Sequence, residues 1–190
     1  MAKGIFCLET EWEFTSQKLK DETTIQPMLD FMKNSNKMEY VYRRVATRAD
    51  LFFYLKQLKK VTFNKYEIVY LSFHGQTQSI FLEGENKKDA FISLTELAEI
   101  ANGAFKDKFV HFGTCRTLLG SESTLEEFKT LTGAKFISGY TRSVDYTHSS
   151  LMDIAYFNEL NKISVKYNTV RSLLDKRYGG LKEELGFKLI

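Results

Sequence analysis

Two apolar segments of the sequence are each followed by a residue that can take part in acid–base or nucleophilic chemistry. His74 and Gly75 follow the run YEIVYLSF, and Cys115 follows KFVHFGT. A cysteine thiol is mostly protonated at neutral pH, so an imidazole that accepts its proton makes it a better nucleophile. The backbone N–H groups of Gly75 and Cys115 are candidates for binding an oxyanion. Together these residues predict covalent catalysis by a Cys–His dyad, although each alone is also typical of an ordinary strand end.

The secondary structure predicted around these residues brings them to one end of a sheet. Apolar runs predict strands at residues 4–9, 38–45, 67–73, 108–113 and 134–140. They alternate with helical patterns, which predicts an α/β fold of three layers with a mostly parallel, doubly wound sheet. The segments SIFLEG and AFISL predict a small hairpin insertion after the third strand. His74 and Cys115 follow consecutive strands, and such strands are usually neighbours about 4.8 Å apart.

Helical patterns occupy the segments between the strands. They lie at residues 24–33, 48–60, 94–105, 123–131, 148–162 and 168–178, and GFKLI predicts a final strand. Pro27 falls in the first turn of the first helix, where proline is tolerated. Ser123 and Glu126 have the spacing of a capping box, which predicts where the fourth helix begins.

Composition and charge exclude several classes of function. The chain has 190 residues, 43% of them hydrophobic, so we expect one globular domain over residues 1–190. The net charge of +3, with both signs interspersed, argues neither for nor against nucleic acid, and we expect no nucleic acid among the partners. Neither a signal peptide nor a membrane span is indicated. Two cysteines, Cys7 and Cys115, make neither a disulfide framework nor a zinc site, which favours a cytoplasmic location. No phosphate-binding loop or metal-ligand spacing is present, so no cofactor and no metal are expected.

The segments around His74 and Cys115 resemble the caspase-like (clan CD) cysteine peptidases. LSFHGQ is similar to the histidine segment of that superfamily, most of all in CHAT-type domains. In GTCRT, the Cys-Arg pair matches the caspase pattern Q-A-C-[RQG]-G, while Thr114 replaces alanine and the glycine after Arg116 is missing. Residues 140–160 are similar to the CHAT segment after the fifth strand. The resemblance covers residues 67–160 and implies peptide-bond hydrolysis with Cys115 as nucleophile, His74 as general acid/base, and Gly75 and the Cys115 backbone as the oxyanion site.

The resemblance also implies a substrate pocket at the same end of the sheet. Several families of this superfamily cut after a basic residue that an acidic side chain binds, and Asp145 is the first candidate for that role. An equal alternative is that Asp145 caps the following helix. Glu9, at the end of the first strand, and Trp12, which follows that strand, are further pocket candidates. Their alternatives are a solvated turn for Glu9 and cover of the sheet edge for Trp12. Arg116 and Arg142 are near enough in sequence that a pocket for an acidic substrate side chain is a further alternative.

The predicted partners are a protein or peptide substrate and, from the resemblance alone, a regulatory protein. Two other functions stay open. The departures from the caspase pattern at Thr114 and after Arg116 are compatible with an inactive caspase-like module that binds a partner. The alternation of strands and helices is equally typical of a flavodoxin-like ligand-binding domain. Reactivity of the Cys115 thiol distinguishes the peptidase from both.

Overall fold

A computed structural model of the protein describes residues 2–12, 24–162 and 165–190. The strands of these residues are β1 (Ile5–Thr10), β2 (Tyr40–Val45), β3 (Ile68–Ser72), β4 (His74–Gln76), β5 (Ser79–Phe81), β6 (Phe91–Ser93), β7 (Phe109–Phe112), β8 (Phe136–Tyr140) and β9 (Phe187–Leu189). The helices are α1 (Gln26–Asn36), α2 (Arg48–Leu58), α3 (Leu94–Ala101), α4 (Glu122–Thr132), α5 (Tyr146–Leu160) and α6 (Tyr167–Leu185), with a short 3-10 turn at Val61–Phe63.

The central sheet has the strand order β2-β1-β3-β7-β8-β9. Neighbouring strands from β2 to β8 run parallel, and β9 joins the edge antiparallel to β8. The predicted fold class, an α/β fold with a mostly parallel central sheet between helices, is confirmed. Strands β3 and β7 are buried along their whole length, as expected for strands that helices cover on both faces.

Two hydrophobic cores lie on opposite faces of the sheet. One core includes Leu51, Leu97 and Phe128 and so packs α2, α3 and α4 on one face. The other core includes Leu29 and Phe157 and packs α1 and α5 on the opposite face, together with α6. Burial of these apolar side chains is the main force that holds the three layers together. Within the described residues, no helix is both long and apolar enough to cross a membrane.

The predicted hairpin is part of a small second sheet. Strands β4, β5 and β6 form an antiparallel sheet in that order, so the predicted β5–β6 hairpin has a third strand that begins at His74. The histidine was predicted to follow the third strand directly. In the structure β3 ends at Ser72, Phe73 is buried, and His74 opens the next strand. The histidine therefore sits on a hairpin anchored beside the main sheet.

The predicted capping box of α4 is wrong. The helix begins at Glu122, and Ser121 occupies the capping position without a side-chain bond to the helix backbone. The Oγ atoms of Ser121 and Ser123 are instead 2.6 Å apart and hydrogen-bonded to each other. The hydroxyl predicted to cap the helix at Ser123 lies inside its first turn.

Candidate active site

A cavity at the carboxyl ends of β3 and β7 is lined by both His74 and Cys115. Its volume is about 260 Å³. Strands β3 and β7 are direct neighbours in the sheet, with Leu71 opposite Phe112. The sequence predicts that the two residues meet, and the structure brings both to this cavity. Trp12, from the end of β1, lines it as well.

Cys115 lies in the loop between β7 and α4, and its backbone is fixed on both sides. The N–H of Gly113 donates to Leu71, and the N–H of Arg116 donates to Arg142. Arg116 adopts a left-handed backbone with φ of 59°, an uncommon conformation for a side chain of its size. Such backbone outliers cluster at functional sites, which makes this loop a candidate for one. Among the described residues, nothing accepts a hydrogen bond from the N–H of Cys115.

The thiol of Cys115 is partly exposed and lies against the loop before α5. The N–H of Val144 donates to Sγ at 3.4 Å, and Sγ lies 3.7 Å from the carbonyl oxygen of the same residue, to which the S–H donates. Cys7, unlike the partly exposed Cys115, is fully buried, and burial raises the pKa of the Cys7 thiol well above the usual value.

Gly75 is in close contact with the loop that carries Cys115. A Cβ at position 75 would lie 2.5 Å from Oγ1 of Thr117, 2.6 Å from the carbonyl oxygen of Cys115 and 2.9 Å from Cβ of Thr114. Two further hydrogen bonds join the hairpin to this loop. The hydroxyl of Thr117 donates to the carbonyl oxygen of Ser79, and the N–H of Gln78 donates to the carbonyl oxygen of Thr117. The hairpin that carries His74 and the loop that carries Cys115 are thus tied together.

His74 is half-exposed and has two neighbours that fix its ring. The indole of Trp12 meets it edge-on, with ring centroids 4.7 Å apart. Its Nε2 lies 3.4 Å from Oε1 of Glu83, which forms an ion pair when the ring is protonated. Among the described residues, Nδ1 has no hydrogen-bond partner, and no hydrogen bond joins the ring to the thiol of Cys115. Both residues line the same cavity.

Glu9 is a buried carboxylate with four donors. Oε1 accepts from Nε1 of Trp12 and the N–H of Ile25, at 2.7 and 2.8 Å. Oε2 accepts from the hydroxyls of Thr24 and Tyr42, at 2.8 and 2.5 Å. Burial and then the bond to Glu9 raise the pKa of Tyr42 to about 12, so this phenol stays a donor. Glu9 does not line the cavity, and it orients Trp12, which does.

Asp145 caps α5. It accepts from the N–H of His148 at 3.0 Å, and its other oxygen lies 2.7 Å from Nδ1 of the same residue. The backbone bond and then the side-chain bond to His148 hold the pKa of Asp145 below its usual value, and the same contact raises the pKa of His148. Asp145 is exposed and does not line the cavity, whereas Val144 and Tyr146 do. Its capping role is the alternative that the sequence left open.

Sequence reasoning missed a buried polar network beneath the cavity. Asp153 of α5 accepts from the hydroxyls of Tyr70 and Tyr140 and contacts Nε2 of His111 at 2.7 Å. Burial and then the charge of Asp153 raise the pKa of both tyrosines well above the usual value. Asp153 is a lone charged residue within an apolar helical run, and that pattern indicates a buried partner. The network supports Tyr70, whose ring lies against Gly113 and lines the cavity.

The two arginines considered for a pocket that binds an acidic side chain do not line the cavity. Arg142 donates from Nη1 to the carbonyl oxygen of Glu184, and neither Arg142 nor the exposed Arg116 lines the cavity. Among the described residues, no cluster of three His, Cys, Asp or Glu side chains could hold a metal ion.

The mostly parallel sheet between two helical layers is similar to the fold of a solved cysteine protease. A solved structure of similar fold is that of a secreted C11 cysteine protease from Bacteroides thetaiotaomicron in complex with an irreversible peptide inhibitor, with a TM-score of 0.57 and 8% sequence identity. The likeness covers 94% of this chain and 59% of that one, so the chain spans about three fifths of that protease's length. At this identity the likeness concerns the fold alone. The chain belongs to DUF6642, a family of unknown function, whose model matches residues 2–190. No curated protein matches it.

Proposed function

We propose that the protein is a cysteine peptidase that hydrolyses peptide bonds with Cys115 and His74. One observation carries the proposal: both side chains line the same cavity at the carboxyl ends of adjacent parallel strands. This is the place where α/β sheets of this kind bind ligands. A solved cysteine protease shares the fold, which makes peptide hydrolysis the reaction class that we favour.

In this mechanism the sulfur of Cys115 attacks the carbonyl carbon of the scissile peptide bond. The thiol proton passes to His74, which then delivers it to the leaving nitrogen as the C–N bond breaks. The product is a thioester at Cys115 and a free amine. Water activated by His74 attacks the thioester, the C–S bond breaks, and the thiol takes back a proton. No oxidant, metal or cofactor enters this sequence of steps.

The space between the two side chains is where the substrate would bind. The leaving nitrogen of a bound peptide would then lie between Sγ of Cys115 and the ring of His74. Nδ1 of His74 is the nitrogen that we expect to carry the proton, because Nε2 already faces Glu83. Hydrogen bonds between catalytic groups are often long or absent before substrate binds, so the missing thiol–imidazole bond is compatible with this mechanism.

The oxyanion that forms on the carbonyl oxygen needs donors close to Cys115. The N–H of Cys115 has no acceptor among the described residues and is our first candidate. Gly75 is the second, since it packs directly on the Cys115 loop and has no side chain to block the substrate. Preorganised backbone donors of this kind are often worth about 10²–10³ in kcat.

Within the caspase-like peptidases, we infer a kinship with CHAT-type domains from the segments at residues 67–160. A free reactive thiol suits the reducing conditions of the cytoplasm, where we expect the protein to act. We also expect a partner protein to control its activity, as the family resemblance implies.

Alkylation of the thiols tests the dyad directly. We would treat the protein with iodoacetamide at mildly acidic pH and follow Cys115 and Cys7 separately by peptide mass. Cys115 should react much faster than the buried Cys7, and His74→Ala should slow the labelling of Cys115. Cys115→Ala and His74→Ala should both abolish cleavage of a denatured protein substrate. Slow labelling of Cys115 that His74→Ala leaves unchanged would overturn the proposal and favour a non-catalytic binding module.

A further inference from the structure

We propose that the pocket beside Cys115 selects a large apolar side chain at the substrate residue whose carbonyl is attacked. This inference rests on the proposed peptidase function and names its substrate class. It differs from the basic-residue preference that Asp145 suggested from the sequence.

Most of the cavity wall is apolar, and this apolar part begins beside the nucleophile itself. Val144 contacts Sγ of Cys115 through its backbone and lines the cavity. The remaining apolar wall comes from five side chains, on β3 and on the segments that follow β1, β3 and β8. They are Trp12, Ile25, Tyr70, Phe73 and Tyr146, and Ser72 and Ser149 also line the cavity. A side chain next to the attacked carbonyl would therefore enter an apolar space.

Of the Trp, Tyr and Phe side chains in the wall, three carry a polar atom, and each of these atoms is hydrogen-bonded to a partner. Nε1 of Trp12 donates to Glu9 at 2.7 Å, and the hydroxyl of Tyr70 donates to Asp153 at 2.6 Å. The hydroxyl of Tyr146 donates to the carbonyl oxygen of Thr24 at 2.8 Å. Each ring thus presents its apolar part to the cavity while its polar end is satisfied. Apolar pockets with few polar groups are the usual way in which proteins bind apolar ligands.

The carboxylates near the cavity are already engaged. Both oxygens of Glu9 are saturated by four donors, and those of Asp145 face His148 outside the cavity. Glu83 lies against His74. A guanidinium or ammonium group that entered this pocket would lose hydration without gaining a carboxylate among the described residues. Attraction of the cation to the aromatic rings would offset only part of that loss.

Peptidyl acyloxymethyl ketones test the inference because they alkylate a cysteine peptidase according to the residue bound beside the nucleophile. The sulfur of Cys115 forms a C–S bond to the methylene carbon, the carboxylate leaves with the bonding electron pair, and the thiol proton goes to His74 or solvent. We would compare one peptide with Phe, Leu, Arg, Lys or Asp at that residue and measure second-order rates by intact mass. Phe and Leu should react at least about tenfold faster than Arg, Lys and Asp.

Variants of the pocket wall sharpen the test. Tyr146→Ala should reduce the advantage of the Phe reagent, while Tyr146→Phe, which keeps the ring, should preserve it. Phe53→Ala removes an exposed aromatic side chain on α2, outside the cavity, and should change nothing. Faster labelling by Arg, Lys or Asp reagents would overturn the apolar pocket and leave the peptidase intact. Failure of every reagent to label Cys115 faster than Cys7 would overturn both proposals.

Discussion

Gly75 and Cys115 approach each other so closely that a Cβ on the glycine would lie 2.6 Å from the carbonyl oxygen of the cysteine. No side chain fits in this contact without displacing backbone. The contact joins the hairpin that presents His74 to the loop that presents Cys115. The relative position of the two candidate catalytic groups therefore depends on a residue that takes no part in the proton transfers.

Gly75→Ala should lower cleavage by about 10²-fold or more, because a shift of the Cys115 loop misplaces the nucleophile. The backbone of Gly75 has no positive φ, so the effect is steric rather than conformational. Initial rates on the best peptide substrate measure it, and thermal unfolding shows how much stability is lost.

Gly180→Ala is the matched control. A Cβ at position 180 meets nothing within 4 Å, and the residue lies inside α6, where alanine is the better helix former. Activity should stay unchanged and stability should be equal or higher. An active Gly75→Ala variant with the wild-type rate would contradict the role that we assign to this contact.

Glu9→Gln should destabilise the protein by about 2–4 kcal/mol. All four groups that bond to Glu9 are hydrogen-bond donors. The amide of glutamine would place its own N–H donors against two of these groups, and it would remove the buried negative charge that the four donors stabilise. Chemical denaturation measures the change. Trp12 fluorescence should respond as well, because its indole loses an anionic partner.

Glu11→Gln is the control for Glu9, two residues away. Glu11 pairs with Arg44 at 2.8 Å, and both side chains are about a third exposed. Partly solvated pairs of this kind contribute roughly 0–1 kcal/mol. Equal losses of unfolding free energy in the two variants would show that the bonds of Glu9 contribute no more to stability than a partly exposed ion pair.

Asp153→Asn should destabilise the protein by about 2–4 kcal/mol, since the buried carboxylate accepts two tyrosine hydroxyls and contacts His111. Tyr70 should lose its support at the cavity floor, so the selectivity between Phe and Arg reagents should fall too. Denaturant unfolding and labelling rates are the two measurements. Asp175→Asn, at an exposed site on α6, should change stability by less than about 1 kcal/mol; a similar loss there would argue against a special role for the network.

The effect of Asp145→Asn on Tm should depend on pH, because Asp145 pairs with His148 at the start of α5. Folding lowers the pKa of Asp145, so its contribution is present above the usual value of about 3.9 and is lost as pH falls through the lowered pKa. Folding raises the pKa of His148, so that contribution is present below about 6.5 and is lost as pH rises through the raised pKa. Wild type and variant should therefore differ most in Tm between about pH 4 and 6.5.

Outside that window the two proteins should converge, because asparagine still caps the helix. The variant should also keep the wild-type labelling rate with an Arg reagent. A constant Tm difference from pH 4 to pH 8 would contradict the ion pair. A selective loss of Arg labelling would restore Asp145 as a pocket residue.

Much of the site's location could be predicted because it depends on local patterns and one topological rule. The buried runs before His74 and Cys115 indicate strands, and consecutive parallel strands tend to be neighbours. The boundary at His74 was less predictable. Whether the chain continues β3 or starts a new strand depends on the pairing of Gly75 with Ile80, a contact that strand propensity alone does not specify.

The sequence by itself determined the α/β fold class and the end of the sheet where His74 and Cys115 lie. Hydrophobic periodicity is a local property of the chain, and consecutive parallel strands tend to be neighbours. Only the tertiary structure decided what surrounds His74 and Cys115. The donors that saturate Glu9 come from the end of β1, from the start of α1 and from β2, and the apolar pocket is built from equally distant segments. Such groupings arise only when packing brings separate segments together, so residue type alone does not reveal which carboxylate is engaged and which wall is apolar.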